Sequence, residues 1–211
     1  MKSNDNTASI SRYKTHVVEV GGVSIGGDAP ISVQSMCKVR TTDISAVRRQ
    51  CESVFHAGGD LIRIAIPDEA SAKALKYIIA NSPLPIIADI HFDYKLALMA
   101  IDEGVHKVRI NPGNIGSPQQ IKTIANSAAE KNIAIRIGVN SGSLPKEICR
   151  EYPEHGPKAM VAAAIKTIEI MNECGFEKII VSLKSSSPNE TLQANLEFAR
   201  QSSYPLHIGV T

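Results

Sequence analysis

Residues 133–140 read Ile-Ala-Ile-Arg-Ile-Gly-Val-Asn, and this stretch decides the fold. Ile or Val occupies every odd-numbered position, which is the period-2 pattern of a β-strand with one apolar face. The other face carries Arg136, Gly138 and Asn140, so it is polar or small. A strand of a doubly wound sheet is buried on both faces and is typically a continuous apolar run. The alternation therefore favours a strand whose second face lines the interior of a barrel.

Six further stretches have the composition of strands and place polar side chains on one face. The seven predicted strands are 31–36, 61–66, 86–91, 107–111, 133–140, 179–184 and 206–211. Helical spacing predicts helices between them at 43–57, 69–80, 93–103, 118–131, 158–174 and 189–201, with Thr42, Asp68, Ser117 and Ser187 as N-caps. The alternation is that of repeated βα units. Residues 141–157, interrupted by Pro and Gly, are predicted to form an inserted loop.

The predicted fold is α/β, a TIM-type (β/α)8 barrel that is incomplete because seven strands can be assigned. A short N-terminal β-hairpin precedes it, with residues 16–20 and 23–25 joined by Gly21-Gly22. Residues 1–14 are predicted to be a flexible tail. Residues 15–211 are predicted to form one substrate-binding barrel domain. We expect this domain to be truncated before strand eight, because seven strands alone would leave two sheet edges open, which natural proteins avoid.

Composition excludes several classes of function. The chain has 211 residues, of which 43% are hydrophobic, and 23 Lys and Arg against 21 Asp and Glu leave a net charge of +2. This balance gives no indication of a nucleic-acid or membrane surface. The polar N-terminal segment resembles no signal peptide and no apolar run is long enough to span a bilayer, so a cytoplasmic protein is predicted.

The four cysteines are widely spaced in sequence, with no metal-site spacing, and free thiols are predicted. We therefore predict no metal ligands in this chain. One of them, Cys37, follows the first barrel strand and is the thiol placed where it could face the interior. The others are expected on helices or in the inserted loop.

Polar side chains cluster where the predicted barrel strands end, which is where active sites of such barrels lie. The candidate binding residues are Arg63, Asp89, Arg109, Asn111, Arg136, Asn140, Ser182, Lys184, His207 and Thr211. Four of them are cations, and one, Asp89, is a carboxylate. Unpaired buried cations need an anionic ligand, and the planar fork of arginine suits phosphate oxygens. A small phosphorylated ligand is predicted.

The loop 111–116, Asn-Pro-Gly-Asn-Ile-Gly, could turn backbone N–H groups toward an oxyanion, or could be an ordinary βα turn. No P-loop or dinucleotide-binding fingerprint occurs, so nucleotides are not indicated. His91 and His207 are either acid–base groups or packing residues. No catalytic residue is assigned.

Several strand ends together resemble one family. The matching segments are 33–36, 88–92, 108–116, 136–144 and 207–211, in this order along the chain. They are similar to the 4-hydroxy-3-methylbut-2-enyl diphosphate synthases, the IspG or GcpE family, over the N-terminal barrel part of that family. The resemblance runs from about residue 15 to the end of the chain.

The resemblance implies reductive ring opening of 2-C-methyl-D-erythritol 2,4-cyclodiphosphate to (E)-4-hydroxy-3-methylbut-2-enyl diphosphate, in the methylerythritol phosphate route to isoprenoids. It implies a 4Fe-4S cluster, ferredoxin or flavodoxin as electron donor, and a homodimer. By the family's pattern, the residues that would hold the diphosphate are Arg63, Arg109, Arg136 and Lys184, and the polar wall would be completed by Asn111, Asn140, Ser182, His207 and Thr211. Asp89 would orient either one of these cations or a substrate hydroxyl. The cluster ligands lie in a C-terminal iron–sulfur domain of the family that this chain lacks, so we expect the chain alone to be inactive.

Two alternatives stay open. The chain could be a non-catalytic fragment that binds a phosphate ligand. It could also be a redox-free barrel enzyme resembling dihydropteroate synthase, which binds a diphosphate at its strand ends, although no aromatic sandwich for a pterin is evident.

Overall fold

The computed structural model describes residues 12–209. Most of the predicted N-terminal tail, residues 1–11, lies outside this range. Thr211, a candidate binding residue, also lies outside the described residues, together with Val210.

Strands and helices alternate along the chain as predicted. The strands are β1 (Val18–Val20), β2 (Val23–Ile25), β3 (Gln34–Met36), β4 (Leu61–Ala65), β5 (Ile86–Asp89), β6 (Lys107–Ile110), β7 (Ala134–Asn140) and β8 (Ile179–Lys184). The helices are α1 (Ile44–His56), α2 (Glu69–Asn81), α3 (Tyr94–Asp102), α4 (Pro118–Glu130), α5 (Lys146–Glu151), α6 (Pro157–Asn172) and α7 (Pro188–Gln201).

The main sheet is parallel and has the order β3-β4-β5-β6-β7-β8. This order, with a helix after each strand, is that of a TIM-type barrel, and the predicted fold class is confirmed. The seventh predicted strand is reduced, within the described residues, to one parallel bridge between Val181 and Leu206. The first predicted strand is also shorter, because Ile31 and Val33 precede its pairing with β4 and are largely exposed.

The two faces of the sheet have different neighbours. The apolar residues of one parity, such as Ile64, Ile110 and Ile137, belong to one large core formed with the helices. The opposite parity faces the barrel interior, and at the start of the strands it carries Leu61, Ile87, Ala134 and Ile180. The alternation in residues 133–140 thus corresponds to an outer apolar face and an inner polar face, as predicted.

The N-terminal hairpin closes one end of the barrel interior. Val18 and Val20 of β1 pack against the inward-facing residues at the start of the strands. The turn between β1 and β2 needs glycine, because Gly21 and Gly22 have φ of +57° and +86°. The hairpin therefore covers the interior at the start of the strands, and the end where the strands terminate is left open by it.

Helix starts follow from side-chain capping. The side chains of Asp68, Ser117 and Ser187 accept hydrogen bonds from backbone N–H groups in the first turns of α2, α4 and α7, as predicted. The prediction of Thr42 as the cap of α1 is wrong. Asp43 caps that helix, because its Oδ1 accepts the backbone N–H of Ala46 at 3.0 Å.

The excursion at 141–157 is more ordered than the predicted loop. It contains a 3-10 turn (Ser141–Ser143) and the short helix α5. The turn packs directly on the loop after β6, where a Cβ on Gly113 would lie 1.9 Å from the carbonyl oxygen of Ser143. Glycine at 113 therefore permits a backbone approach that any other residue would block.

Within residues 12–209, no helix is both long enough and apolar enough to cross a membrane.

Candidate functional site

A polar cavity of about 210 Å³ opens at the carboxyl ends of the strands. We call it the cup. Seven of the ten predicted binding residues line it, together with two others: Met36, Arg63, Asp89, His91, Arg109, Arg136, Asn140, Ser182 and Lys184. They come from β3 to β8, so the curvature of the sheet brings together residues that are far apart in sequence.

Asp89 is the centre of the charge network in the cup. Its Oδ1 lies 3.2 Å from Nη1 of Arg109, and its Oδ2 lies 3.5 Å from Nε of Arg63 and 3.1 Å from Nε2 of His91. Burial alone would raise the pKa of Asp89, but the charges of the two arginines and the hydrogen bond from His91 outweigh it. The pKa of Asp89 is therefore lowered, and the carboxylate is ionised.

Gly138 provides the space in which Arg109 lies. A Cβ at this position would be 2.4 Å from Nε of Arg109 and 3.1 Å from its Cζ. The guanidinium also donates from Nη2 to the carbonyl oxygen of Gly138 at 3.4 Å. A side chain at residue 138 would therefore displace the arginine from both of its partners, this carbonyl and Asp89.

Arg136 is paired with Arg109 in the register of β6 and β7. Unlike Arg109, it forms no ion pair with Asp89. Its side chain is buried, and Nε and Nη1 have no hydrogen-bond partner among the described residues. Burial, and then the charges of Arg63 and Arg109, lower its pKa to about 9, which leaves the guanidinium charged at neutral pH. Unsatisfied donors on a buried cation are the feature that an anionic ligand would complete.

Two further polar groups complete the wall at the open end. Asn140 and Lys184 are paired in the register of β7 and β8, and both are partly exposed to the cup. Burial lowers the pKa of Lys184 to about 8, helped by the neighbouring arginines. Ser182, one inward position earlier on β8, is buried.

Two of the described predicted binding residues, Asn111 and His207, are not in the lining. Asn111 has both ends of its side chain engaged outside the cup, with Nδ2 donating to Ser143 Oγ at 2.8 Å and Oδ1 accepting from the N–H of Gly113 at 3.0 Å. This places the loop 111–116 against the excursion. His207 is half-buried beside the cup, and Thr211 lies outside the described residues. Burial and nearby cations lower the pKa of His207 to about 2, so its imidazole is neutral.

Besides His91, two residues near the cup were not among the predicted binding residues. Met36 lies in the lining, and its Sδ accepts hydrogen bonds from Arg63 Nη2 at 2.8 Å and Nε at 3.2 Å. Lys107 is buried in the barrel interior and faces inward from β6. Both could have been found from the sequence, because Met36 and Lys107 lie on the alternate strand positions that face the barrel interior.

A second cavity, of about 470 Å³, lies outside the barrel. It runs between α5, α6 and α7 and mixes apolar side chains such as Val161 and Ile165 with Glu151, Lys158 and Glu169. Although this cavity is larger, carboxylates outnumber lysines in its lining, whereas cations outnumber the one carboxylate in the lining of the cup. The cup is therefore the better candidate for an anion site.

The residues of the described chain do not fit an iron–sulfur cluster. Cys37 does not face the cup, because it lies in the outer core with Val47 and Cys51. Cys149 lies on α5 and Cys174 just after α6. No group of three or more His, Cys, Asp or Glu that could hold a metal ion occurs in the described part of the chain. A cluster needs several thiolates close together, and this arrangement does not supply them.

Residues 15–211 match the family described as the GcpE TIM-barrel domain. The chain belongs to this family. Curated proteins named 4-hydroxy-3-methylbut-2-en-1-yl diphosphate synthase (flavodoxin) align with nearly all of it. The protein from Magnetococcus marinus is 46% identical over 95% of this chain and 54% of its own length. That from Thermodesulfovibrio yellowstonii is 48% identical over 96% of this chain and 58% of its own length. The chain thus spans somewhat more than half the length of these relatives.

Solved structures confirm the fold alone. 3-Dehydroquinate dehydratase from Geobacillus kaustophilus superimposes with a TM-score of 0.64 at 17% identity, over 93% of this chain and 79% of that chain. Dihydropteroate synthase from Yersinia pestis gives a TM-score of 0.58 at 14% identity, over 90% and 74%. The shared barrel says nothing about a shared substrate at these identities.

Proposed function

We propose that residues 15–211 are the substrate-binding barrel domain of a 4-hydroxy-3-methylbut-2-enyl diphosphate synthase, and that the cup binds 2-C-methyl-D-erythritol 2,4-cyclodiphosphate. One observation carries the proposal. Arg63, Arg109, Arg136 and Lys184 converge on a cup in which Asp89 is the one carboxylate among the described lining residues. Family membership then selects which phosphorylated ligand this positive cup takes.

The individual contacts support a diphosphate. Arg136 has free, buried donors for phosphate oxygens, and Lys184 stands at the open end of the cup. Arg63 and Arg109 are held in place by Asp89, so their guanidinium groups are oriented before a ligand arrives. Preorganised arginines lose little side-chain entropy on binding, which favours tight binding of a charged ligand.

The proposed reaction is the two-electron reductive ring opening of this cyclic diphosphate to (E)-4-hydroxy-3-methylbut-2-enyl diphosphate. The part we assign to this chain is to bind the diphosphate, orient the ring and neutralise its charge. The relatives' names include flavodoxin, which we propose as electron donor, with ferredoxin as the other candidate. A 4Fe-4S cluster would deliver the electrons, and the described residues do not supply its ligands. The homodimer, the cytoplasmic location and the inactivity of the chain alone stay predictions.

Calorimetric titration of the 211-residue chain tests the proposal. The cyclic diphosphate should bind at least about 100-fold more tightly than 2-C-methyl-D-erythritol, because the polyol carries no negative charge to pair with the four cations. The difference should shrink as salt is raised, since screening weakens charge–charge attraction. Equal binding of the diphosphate and the polyol would overturn the proposal.

A pair of variants locates the binding. Arg63→Met removes a cation of the cup, whereas Arg48→Met removes one from the exposed surface of α1, where Arg48 pairs with Glu52. We expect the first variant to weaken cyclic diphosphate binding about 10-fold or more, and the second to leave it unchanged. Equal effects of both variants would indicate that net charge, and not the cup, attracts the ligand.

The alternative of a dihydropteroate synthase-like enzyme rests only on the shared barrel at 13% to 14% identity. The alternative of a non-catalytic phosphate-binding fragment makes the same binding prediction as our proposal. The two differ in a turnover assay with the iron–sulfur domain of a relative added in trans, which we expect to yield product.

A further inference from the structure

Lys107 occupies a position that the proposed binding set does not use. It is the first residue of β6, and its register neighbours are Ile87 on β5 and Ala134 on β7, both of which face the barrel interior. The next inward-facing residue on the same strand is Arg109, which lines the cup. The Lys107 side chain therefore lies between the apolar closed end of the barrel and the floor of the cup.

The ammonium group of Lys107 is buried without an ion pair. The residue is 1% exposed, and none of the ion pairs formed within residues 12–209 involves its Nζ. The nearest carboxylate of the cup, Asp89, already contacts three other groups, namely Arg63, His91 and Arg109. A buried cation without a partner is strongly disfavoured, so this position selects the neutral amine unless an anion is nearby.

The elements around Lys107 carry several positive charges and one negative charge, that of Asp89. The charged or titratable groups that face the interior are Arg63 on β4, Asp89 on β5 with His91 just after it, Arg109 on β6, Arg136 on β7, Lys184 on β8, and His207 in the segment after α7. On β3 the inward-facing groups are neutral: Met36, and Gln34, whose Oε1 is buried without a partner. Burial, and then the charges of Arg136 and Arg63, lower the pKa of Lys107 to about 7.

We propose that Lys107 adjusts the charge of the cup to its occupant. At pH values above neutral, the side chain is largely uncharged while the cup is empty, and it takes up a proton when a dianionic diphosphate binds above it. The inference rests on the proposed function for the identity of the ligand. It adds a residue and a proton that the diphosphate-binding set does not include. The proton comes from solvent and stays on Nζ, so no bond of the ligand changes.

Thermodynamic linkage gives the consequence. If the bound state holds one more proton than the free state, affinity falls as pH rises above the pKa of the free cup. The fall should reach up to about tenfold per pH unit while Lys107 is neutral in the free protein and charged in the complex. The cyclic diphosphate is a suitable probe, because each of its phosphoryl groups carries a single acidic oxygen and neither titrates near neutral pH.

Lys184 is the other lysine of the interior and could imitate this behaviour. Its pKa is lowered to about 8, so it is more fully protonated than Lys107 in the empty cup near pH 7.5. His207, with a pKa of about 2, lies too far below this range to contribute. Lys184→Met is therefore the matched control for Lys107→Met: both remove one lysine charge from the interior, and only Lys107 lies below the cup.

The experiment is calorimetric titration of the full 211-residue chain with 2-C-methyl-D-erythritol 2,4-cyclodiphosphate near pH 7.5, in two buffers with different ionisation enthalpies. The difference in apparent binding enthalpy measures the protons taken up. We expect uptake of most of one proton by the parent chain, loss of most of that uptake in Lys107→Met, and its retention in Lys184→Met, which should instead bind more weakly. Thermal unfolding of each variant establishes that it is folded.

Each other result has one meaning. Binding without proton uptake in the parent chain, or undiminished uptake in Lys107→Met, overturns the inference about Lys107 and leaves the proposed function standing. Uptake lost only in Lys184→Met also overturns it and assigns the proton to Lys184. Absence of any binding by the folded parent chain overturns the proposed function, and the inference falls with it.

Discussion

Asp89 Oδ1 lies 3.2 Å from Nη1 of Arg109, and this ion pair holds the arginine over the bare backbone of Gly138. Within residues 12–209, Asp89 is the one buried carboxylate, whereas three cations are buried and two more are half-buried around it. The cup is thus assembled around a single internal anion. Its remaining positive charge is available to a ligand.

Asp89→Asn should destabilise the fold. The substitution keeps the shape of the side chain but leaves Arg63 and Arg109 without a counter-charge, and breaking buried pairs in this way costs about 3–5 kcal/mol. Urea unfolding measures the change. Glu52→Gln, which removes the exposed partner of Arg48, is the control and should cost less than about 1 kcal/mol. Equal losses in the two variants would contradict a central role for Asp89.

Stability should depend on pH through the same carboxylate. The folded pKa of Asp89 is depressed below its ordinary value of 3.8. Its contribution is therefore fully present above the unfolded pKa and is lost as pH falls through the folded pKa. We expect the unfolding free energy of the parent chain to fall more steeply below about pH 4 than that of Asp89→Asn. Parallel curves for the two proteins would show that Asp89 has the same pKa in the folded and the unfolded state.

Gly138→Ala should disturb Arg109 specifically. The added methyl group would overlap Nε of the arginine, and we expect a loss of about 1–3 kcal/mol in stability together with weaker cyclic diphosphate binding. A double-mutant cycle checks the cause. In an Arg109→Ala background the same substitution should cost much less. An undiminished cost there would place the strain elsewhere in the strand.

Arg136→Met should separate stability from binding. The substitution replaces an unpartnered buried guanidinium with an apolar side chain, so the unfolding free energy should stay level or rise by about 1–4 kcal/mol. Binding of the cyclic diphosphate should fall by at least about 30-fold, because a charge-assisted contact is lost. Urea unfolding and calorimetry measure the two quantities. A large fall in stability would mean that Arg136 has a structural partner.

Gly113→Ala should separate the excursion at 141–157 from the loop after β6. The new Cβ would meet the backbone of Ser143 and not a movable side chain, so the loops must separate at a cost of about 2 kcal/mol or more. Gly142→Ala is the neighbouring control, since a Cβ there meets nothing within 4 Å. Hydrogen exchange at residues 111–116 and 141–151 should increase only in Gly113→Ala. Equal exchange in both variants would contradict the contact.

Much of the fold could be predicted because its signals are local. The alternation in residues 133–140 reports which face of a strand meets the helices, and that information lies within a few adjacent residues. The helix starts at Asp68, Ser117 and Ser187 are equally local, since a cap bonds to N–H groups two or three residues away. Thr42 was mistaken for Asp43 because neighbouring capping residues compete, and only backbone geometry decides between them.

The candidate site was predictable as a set of residues but not as a set of contacts. One-sided polarity identified Arg63, Asp89 and Arg136 as inward-facing. It could not show that Asn111 uses its side chain to join two loops, since its partner Ser143 is 32 residues away. Nor could it place Cys37 beside Cys51 in the outer core, because that depends on how α1 packs on the sheet.

The sequence by itself determined that polar groups would share the inner face of a parallel barrel and that cations would outnumber carboxylates there. Only the tertiary structure decided which charges are paired. Arg109 meets Asp89 because β5 and β6 align these two residues, and Lys107, one inward position earlier on β6, is left buried with no ion-pair partner among the described residues. The register between strands, their curvature and the depth of burial set the distances between charges, and these distances join residues too far apart along the chain for any local pattern to encode them.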